Sequence, residues 1–548
     1  MTDRGEPSPP LAGSDGARRS LILFVVAAAA LLMVGLKLRL DRWPFHANVW
    51  GIDWLNYYEL QARHLHALEP LGFFASWEGL HPPVSGIIHG LLMVLGVGFP
   101  VHWAATTAAS LAGPALLAAW LRSRAGAAAA LLMLAWLMIS PQQANYALNT
   151  SPYPWHLLFG CASTVAFAAA LERGPERGGR VLVTAGVLGA IAIQTHVLAF
   201  SIVIAQAIFF VGQGRDGVRA WGRDGVKTAV WIGLSSLWMV AGALFKTTDP
   251  WTFHVGEAEG GANAEALRML STRFGAAADK SSMLVVLGVL VVAALLGRHR
   301  KTAGLLLLEV LGIVAALVLF FDLGVADPRL THYYVLPQAL LSAVAALGLG
   351  TLAGTGRRRV VVLAAAALLS VPWTLHALGW QNRVEAAAEA KIEASDAAAV
   401  RPFVADAGPG DVVVYLWDPT FLNDEPEHLD PVVAVWPMHR FGRPCFDEVP
   451  RMFCATHEGA FFYSAPWGHW GPLDQVEEPL RMAINRGTAP GRATILVSPL
   501  FDEAPPRPWP FETWLKEHGA SNKDFPGGIV AWQLPPGFVM PDPPPMDP

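Results

Sequence analysis

Eleven apolar segments, separated by short polar connections, constrain this chain more than any other feature of its sequence. Several are shorter than the roughly 20 residues that an α-helix needs to cross a bilayer, so their ends are approximate. With 53% hydrophobic and only 15% charged residues, the 548-residue chain cannot be an ordinary soluble protein. The sequence predicts a polytopic α-helical membrane protein with about 11 transmembrane helices, near residues 21–36, 101–121, 125–140, 154–171, 181–195, 197–213, 228–245, 283–297, 302–321, 334–353 and 360–379.

Basic residues in every second connection predict the orientation, because loops rich in Lys and Arg face the cytoplasm. The alternation holds if residues 81–99, HPPVSGIIHGLLMVLGVGF, lie along the outer face or re-enter instead of crossing. The N-terminus is then cytoplasmic, and Lys37, Arg39 and Arg42 are a local exception on the outer side. The clusters that set this orientation are Arg18-Arg19, Arg122/Arg124, Arg173/Arg177/Arg180, Arg215/Arg219/Arg223/Lys227, Arg298/Arg300/Lys301 and Arg357-Arg358-Arg359.

The tail after Gln381 is less apolar and contains short strand-like runs flanked by Gly and Pro, which predict a small α/β domain outside the cytoplasm. These runs begin at Asp411, Pro431, Thr494 and Gly528. The chain is expected in the cell (inner) membrane. The predicted divisions are a disordered cytoplasmic N-terminus at 1–19, a transmembrane domain at 20–380 with an outer loop at 41–100, an extracytoplasmic α/β domain at 381–539, and a disordered tail at 540–548.

The three cysteines fit this placement. Cys161 lies in an apolar span and is expected to be a small buried residue. Cys445 and Cys454 lie in the predicted outer domain, in GRPCFDEVPRMFCATH, with eight residues between them. In an oxidising compartment this spacing suits a local disulfide.

Asp53 is the early acid of the long outer loop, and it is the first functional candidate. An acid at the mouth of a membrane domain is costly unless it meets water, a cation or a substrate. The alternative is that Asp53 only caps a helix over 54–68, because Asp is a favoured N-cap residue. No GxxxxGK[ST] motif, the phosphate-binding loop of many ATPases, is present, so we do not expect ATP hydrolysis by this chain. No nucleic-acid partner is expected either.

Three motifs, in order along the chain, resemble the GT-C superfamily of integral-membrane glycosyltransferases, in its protein O-mannosyltransferase and aminoarabinose-transferase branch. The first is Asp53-Trp-Leu-Asn-Tyr-Tyr followed by His81-Pro82-Pro83. The second is Ile139-Ser-Pro141 followed by Asn145-Tyr-Ala-Leu-Asn149, and the third is Pro328-Arg-Leu-Thr-His-Tyr-Tyr-Val-Leu-Pro337. The resemblance covers roughly residues 15–380.

The resemblance implies transfer of a sugar from a polyprenyl-phosphate donor to a glycan, lipid or protein acceptor on the outer face. Asp53 matches the acid expected to act as general base on the acceptor hydroxyl, or to help hold a divalent ion. Arg329 would face the donor phosphate, and its alternatives are an interfacial anchor or an ion pair with Asp322 or Asp327. The further donor or substrate contacts implied are His81, His332, Tyr333, Tyr146 and Asn149.

One departure from the family bears on the cofactor. Asn149 stands about where many relatives carry a second acid, and an amide oxygen binds a hard cation more weakly than a carboxylate. A divalent metal is therefore an open question, with His64 and His66 as alternative ligands. Two other function classes also stay open: a non-catalytic protein that binds lipid-linked sugar, and a transporter with Gln194-Thr-His196 as its only broken-helix candidate.

Overall fold

A computed structural model describes residues 14–40, 64–70, 72, 83–140, 143–144, 152–245, 281–320, 334–354, 356–394, 403, 405–417, 443–444, 452–466, 480–486, 491–497, 515–524 and 530–539. Twelve helices and seven strands are defined over these residues. The helices are α1 (Ser14–Leu40), α2 (Pro83–Val94), α3 (Phe99–Arg122), α4 (Ala127–Ile139), α5 (Tyr153–Ile193), α6 (Ala199–Val211), α7 (Gly214–Ala220), α8 (Gly222–Phe245), α9 (Ser281–Leu296), α10 (Arg300–Phe320), α11 (Val335–Ala353) and α12 (Gly356–Ala394).

The predicted fold class, a polytopic α-helical membrane protein with a C-terminal α/β region, is confirmed. Within the described residues, four helices are long and apolar enough to cross a membrane, at Arg18–Leu40, Pro100–Arg122, Tyr153–Ile193 and Val335–Ala353. Shorter apolar helices stand beside them. A shared core of buried Leu, Ala and Val side chains joins α3, α4, α5, α6, α10 and α11.

Helix α5 contains two predicted spans. Its 41 residues would extend about 60 Å as one straight helix, roughly twice the thickness of a bilayer's hydrocarbon core. Gly174 interrupts it with φ 70° and ψ 173°, a conformation that glycine adopts without steric cost, and Pro175 follows. The break lies between the predicted spans at 154–171 and 181–195, next to the basic cluster that begins at Arg173.

Helix α2 is the apolar segment predicted not to cross. Its 12 residues extend only about 18 Å, too short for a span. Ser85, His89 and Met93, one turn apart, are buried, whereas Leu91 and Val94 are exposed. Such a one-sided helix suits the surface or re-entrant position that the sequence predicts.

The helix ends predicted to be cytoplasmic come together in the structure. The guanidinium of Arg124, after α3, pairs with the carboxylate of Glu172 near the break in α5. Arg298, after α9, donates to the carbonyl of Arg124 at 3.0 Å. Burial, followed by the charge of Arg298, lowers the pKa of His299 in the same connection. The predicted alternation of the spans therefore agrees with their packing, and the side of the membrane stays a prediction.

The C-terminal region contains a mixed sheet with strand order β2-β3-β4-β1-β5-β7-β6. β1 pairs in parallel with both β4 and β5, and the other pairings are antiparallel. The side chains of Val412, Ile495 and Trp532 share one buried face with Leu480 and Leu515. The strands are β1 (Val412–Trp417), β2 (Arg443–Pro444), β3 (Phe453–His457), β4 (Ala460–Pro466), β5 (Ala493–Val497), β6 (Ser521–Asp524) and β7 (Val530–Gln533).

Three of the strand-like runs, those at Asp411, Thr494 and Gly528, become β1, β5 and β7. The run at Pro431 lies outside the described residues. Strands β2, β3, β4 and β6 are not among the predicted runs. Cys454, in β3, is disulfide-bonded, whereas Cys161 is a buried free thiol. The predicted partner of Cys454, Cys445, lies outside the described residues, so that pairing stays a prediction.

Candidate functional site

The described part of the bundle contains a group of buried polar side chains, which we call the polar interior. It begins at the helix ends that the predicted topology places outside the cytoplasm, which we call the outer ends. It is organised along one face of α3. His102, Thr106 and Ser110 are spaced four residues apart, so they lie above one another on that face. All three side chains are buried. Two groups of polar residues meet this face, one around Arg39 and one around His89.

Arg39, at the outer end of α1, is fully buried. Its Nε donates to the hydroxyl of Ser110 at 3.2 Å, and its two terminal nitrogens donate to the carbonyls of Gly35 at 2.8 Å and Gln143 at 3.3 Å. These acceptors are all neutral, and no carboxylate among the described residues pairs with the guanidinium. A buried charge is normally paired, so the positive charge of Arg39 favours an anion nearby.

The same network continues to the outer end of α11. The amide nitrogen of Gln143 donates to the carbonyl of Val335 at 2.7 Å and to Oε1 of Gln338 at 3.2 Å. The amide nitrogen of Gln338 donates to the hydroxyl of Ser140 at 3.0 Å. Four helices (α1, α3, α4 and α11) are thus joined by hydrogen bonds, at the outer ends of α1, α4 and α11 and near the middle of α3. Ser140, Gln143 and Val335 belong to the motifs at 139–149 and 328–337.

His89 and His102 form the second polar group. Their Nδ1 atoms are 3.1 Å apart and their rings stack with centroids 5.4 Å apart. The indole N–H of Trp155 donates to Nε2 of His89 at 3.4 Å, which assigns the His89 proton to Nδ1. Nδ1 of His102 is then the acceptor. Each ring then has one acceptor nitrogen in a hydrogen bond, as only a neutral imidazole can.

His156 lies deeper on α5, with only 4% of its surface exposed. Its ring packs against His196 at 5.4 Å between centroids, and Tyr153 packs against His196 at 5.3 Å. Neither nitrogen of His156 has a hydrogen-bond partner among the described residues. Leaving buried polar atoms unpaired costs about 1–3 kcal/mol, so His156 is available to a polar ligand group.

The turn between α5 and α6 connects this group to α2. The backbone N–H of Val84 donates to the carbonyl of Gln194 at 2.9 Å. The amide nitrogen of Gln194 donates to the hydroxyl of Ser235 on α8 at 2.8 Å, and Nδ1 of His196 accepts from the N–H of Leu198 at 3.1 Å. Gln194-Thr-His196, the broken-helix candidate, is therefore the turn between α5 and α6, with Thr195 and His196 buried.

The residues implied by the family resemblance lie outside the described residues. These are Asp53, His81, Tyr146, Asn149, Arg329, His332 and Tyr333. Some of them are close in sequence to the polar interior: Pro83, two residues after His81, begins α2, and Val335, two residues after Tyr333, begins α11. The roles of the seven residues stay predictions.

The residues that sequence reasoning missed are those buried in this interior. Arg39 stands out in the sequence only as one of three exceptions to the positive-inside rule, and Lys37 shares the last turn of α1 with it, so nothing in the sequence indicates that Arg39 is the buried one. His89, His102 and His156 each stand alone in an apolar run, which gives no indication that they meet. Gln143 and Gln338 lie 195 residues apart in sequence.

No group of three or more His, Cys, Asp or Glu residues suited to a metal ion occurs in the described part of the chain. Nδ1 of His64 contacts the carboxylate of Glu69 at 2.9 Å, so its partner is an acid on the same segment and not a shared metal with His66. His89 and His102 direct Nδ1 atoms at each other. The described histidines therefore do not form a metal-binding set.

No protein-family model matches this chain, and no curated protein matches it. Among solved structures, it is similar to ArnT from Cupriavidus metallidurans bound to undecaprenyl phosphate, with 14% identity, a TM-score of 0.49, and coverage of 97% of this chain and 100% of that chain. It is also similar to the Archaeoglobus fulgidus oligosaccharyltransferase in complex with zinc and sulfate, with 17% identity, a TM-score of 0.40, and coverage of 66% and 55%.

Proposed function

We propose that this chain is a membrane glycosyltransferase of the GT-C type, which moves a sugar from a polyprenyl-phosphate donor to an acceptor hydroxyl on the extracytoplasmic face. The observation that carries the proposal is the buried polar interior at the outer helix ends. In an apolar bundle, such a group of ionisable and polar side chains is costly unless it serves a ligand. The three sequence motifs adjoin α2, α4 and α11 in sequence, and described residues at these helices contribute to this interior.

The charge of Arg39 supports an anionic ligand. Its three acceptors are neutral and hold the guanidinium in one position. Because Arg39 is fully buried, we assign it an electrostatic role in place of a direct contact. A fixed positive charge in a low-dielectric surrounding raises the local concentration of a phosphate. Arg329, with its paired N–H donors, is the proposed direct contact to that phosphate.

In the proposed reaction, a carboxylate accepts a proton and a cation stabilises the leaving group. The acceptor hydroxyl attacks the anomeric carbon of the sugar, and its proton passes to the carboxylate of Asp53. The bond between that carbon and the phosphate oxygen breaks, and polyprenyl phosphate leaves with the electron pair. Arg329 stabilises the negative charge that grows on the leaving phosphate. His81, Tyr146, Asn149, His332 and Tyr333 are proposed to position the donor or the acceptor.

His156 is a further candidate to contact the bound substrate. It is buried, and its two nitrogens have no partner among the described residues. As a neutral imidazole it offers one donor and one acceptor, which suits a sugar hydroxyl. Its neighbours His196 and Tyr153 hold the ring in place by packing.

Replacing Asp53 with Asn tests the proposal. Asn keeps the size and the N-capping ability of Asp but cannot accept the proton, so we expect the transfer rate to fall by about 100- to 10,000-fold. The measurement is sugar transfer from native lipid donors in membranes. Glu69→Gln is the matched control, because it removes an exposed acid of the same predicted outer loop, whose ionic partner among the described residues is His64. A folded Asp53→Asn protein with near-normal transfer would refute the assignment and leave Asp53 as a helix cap.

The alternative, a non-catalytic protein that binds lipid-linked sugar, is an outcome of the same assay. In that case the wild type binds a prenyl-phosphate sugar, detected by mass spectrometry of co-purified lipid, but transfers nothing. Asn149→Glu would then be the substitution to test for recovery of a metal-dependent activity, since a carboxylate binds a hard cation more strongly than an amide.

A further inference from the structure

A pocket of about 220 Å³ opens in the C-terminal α/β region, away from the polar interior of the helices. Val413, Thr494 and Gln533 lie side by side across β1, β5 and β7 in the register of the sheet, and all three line it. Phe403 and Asp406, from the segment before β1, and Lys523, from β6, also line it. The pocket therefore has a rigid floor of paired strands.

Asp411 and Arg492 fix the shape of the pocket rim. They stand immediately before β1 and β5. The carboxylate of Asp411 accepts from the backbone N–H of Arg492 at 2.6 Å and of Gly408 at 2.9 Å. Nη2 of Arg492 lies 3.5 Å from the same carboxylate, and its side chain remains 58% exposed. The acid is thus occupied by structural hydrogen bonds, while the guanidinium keeps donors that face solvent.

The size of the pocket limits the ligand. Sites for drug-sized molecules measure roughly 300–1,000 Å³, and this pocket is smaller. It therefore suits one small ring and is too small for a nucleotide or a prenyl chain. The charges of the lining residues balance, with Asp406 and Asp411 against Arg492 and Lys523. A balanced lining does not select a charged ligand.

The chemistry of the lining matches a polyhydroxylated ring. The amide of Gln533 and the hydroxyl of Thr494 can each donate and accept, as sugar hydroxyls do. Asp406 accepts hydrogen bonds, and Lys523 and Arg492 donate them. Phe403 supplies an aromatic ring, which suits the apolar C–H face of a pyranose. Donors, acceptors and one aromatic ring thus surround a space for a single sugar residue.

We propose that this pocket is a non-catalytic binding site for one neutral sugar residue, presented free or as part of a glycan. The proposal does not depend on the transferase activity, because it concerns binding at a second site that contains none of the proposed transfer residues.

Saturation-transfer NMR on the full-length protein in lipid nanodiscs tests it, with free glucose, mannose and N-acetylglucosamine as neutral probes and glucuronate and glucosamine as charged probes. Sugar-based detergents must be absent, since they would compete. We expect neutral sugars to give saturable signals that Gln533→Ala and Phe403→Ala weaken about tenfold or more. Asn522→Ala is the matched control, because it lies beside Lys523 in the exposed strand β6 but does not line the pocket.

The Asp53→Asn protein separates this site from the transferase site. Its neutral-sugar signals should equal those of the wild type, whatever happens to transfer. Three results would overturn the proposal: no signal from any neutral sugar with the wild type, signals unchanged in folded Gln533→Ala, or signals from charged sugars only. Thermal unfolding of each variant is measured in parallel, and Gln533→Ala carries the test if Phe403→Ala is unstable, because Gln533 is exposed.

Discussion

The buried positive charge of Arg39 is unfavourable in the apolar bundle, whereas the proposed function requires that charge. Burying a guanidinium costs several kcal/mol when no carboxylate pairs with it, as for Arg39 among the described residues, and its three neutral hydrogen-bond partners offset only part of that cost. A purely structural role would be served as well by an apolar side chain of similar size. A role in attracting the donor phosphate requires the positive charge itself.

Substitutions that keep or remove the charge distinguish these roles. Arg39→Lys should retain most of the transfer activity, whereas Arg39→Gln should lower kcat/KM for the lipid donor by about tenfold, which corresponds to roughly 1.4 kcal/mol. Arg19→Gln, an exposed basic residue of the same helix, is the control. Equal activities of folded Arg39→Lys and Arg39→Gln proteins would show that the charge is not used.

At the scale of helices, a second buried polar group joins three spans near the middle of the bundle. Glu309 is fully buried near the centre of the 21 residues of α10. Its carboxyl accepts from the hydroxyl of Thr164 on α5 and from the amide of Gln206 on α6, both at 2.9 Å. Gln206 also contacts Ser163 at 3.3 Å. Hydrogen bonds of this kind hold helices together where lipid provides no hydrophobic driving force.

Glu309→Leu should destabilise the bundle by about 1–3 kcal/mol, because Gln206 and Thr164 lose their acceptor in a dry interior. Glu309→Gln keeps one acceptor oxygen and should cost less. Thermal unfolding can be followed with a thiol-reactive dye, since Cys161 is buried and free and becomes reactive on unfolding. Glu176→Gln, near the break in α5, is the control. A Leu variant as stable as the wild type would contradict the role of Glu309 in joining the spans.

Helices α9 and α11 approach closely at a glycine. A Cβ added at Gly348 would overlap the backbone carbonyl oxygen of Leu290, and backbone cannot move aside as a side chain can. Gly348→Ala should therefore destabilise the protein by about 1–3 kcal/mol, the usual cost of overpacking. The matched control is Gly288→Ala on α9, whose added Cβ meets nothing within 4 Å. Equal stabilities of the two variants in the dye assay would refute this close packing.

At the scale of the whole molecule, the predicted topology places the C-terminal sheet and the connection after α9 on opposite sides of the membrane. Single cysteines at Arg300 and Gly491 should therefore react with membrane-impermeant reagents from opposite sides, Arg300→Cys from the cytoplasm and Gly491→Cys from outside. A Cys161→Ala background removes the buried thiol. Labelling of both positions from one side would contradict the orientation and the proposed reaction with it.

The helical spans were predictable because the apolar composition of each span is a property of one continuous segment of the sequence. A bilayer requires a minimum apolar length and forces the backbone to satisfy its own hydrogen bonds, so each span can be recognised from its own residues. The ends of α3, α9, α10 and α11 lie within two residues of the predicted ends. The break in α5 was also visible, since charged residues and Gly174-Pro175 separate its two apolar halves.

The missed strands carry weaker signals. β6 reads Ser521-Asn-Lys-Asp and is exposed at all four positions, so it has no apolar alternation and is a strand only because it pairs with β7. β3 and β4 contain apolar residues, but their pairing across a two-residue turn at Glu458 and Gly459, both with positive φ, fixes their extent. Sheet pairing is a property of two segments, which a single segment does not reveal.

The sequence by itself determined the membrane class and the positions of most described spans. Only the tertiary structure decided which polar residues meet. Hydrogen bonds join Arg39 to Gln143, Thr164 to Glu309 and Ser140 to Gln338, which are separated in sequence by 104, 145 and 198 residues. The position of an apolar span follows from its own residues, because lipid is the solvent that they require. The position of a buried polar residue depends on a hydrogen-bond partner, and that partner lies on another helix.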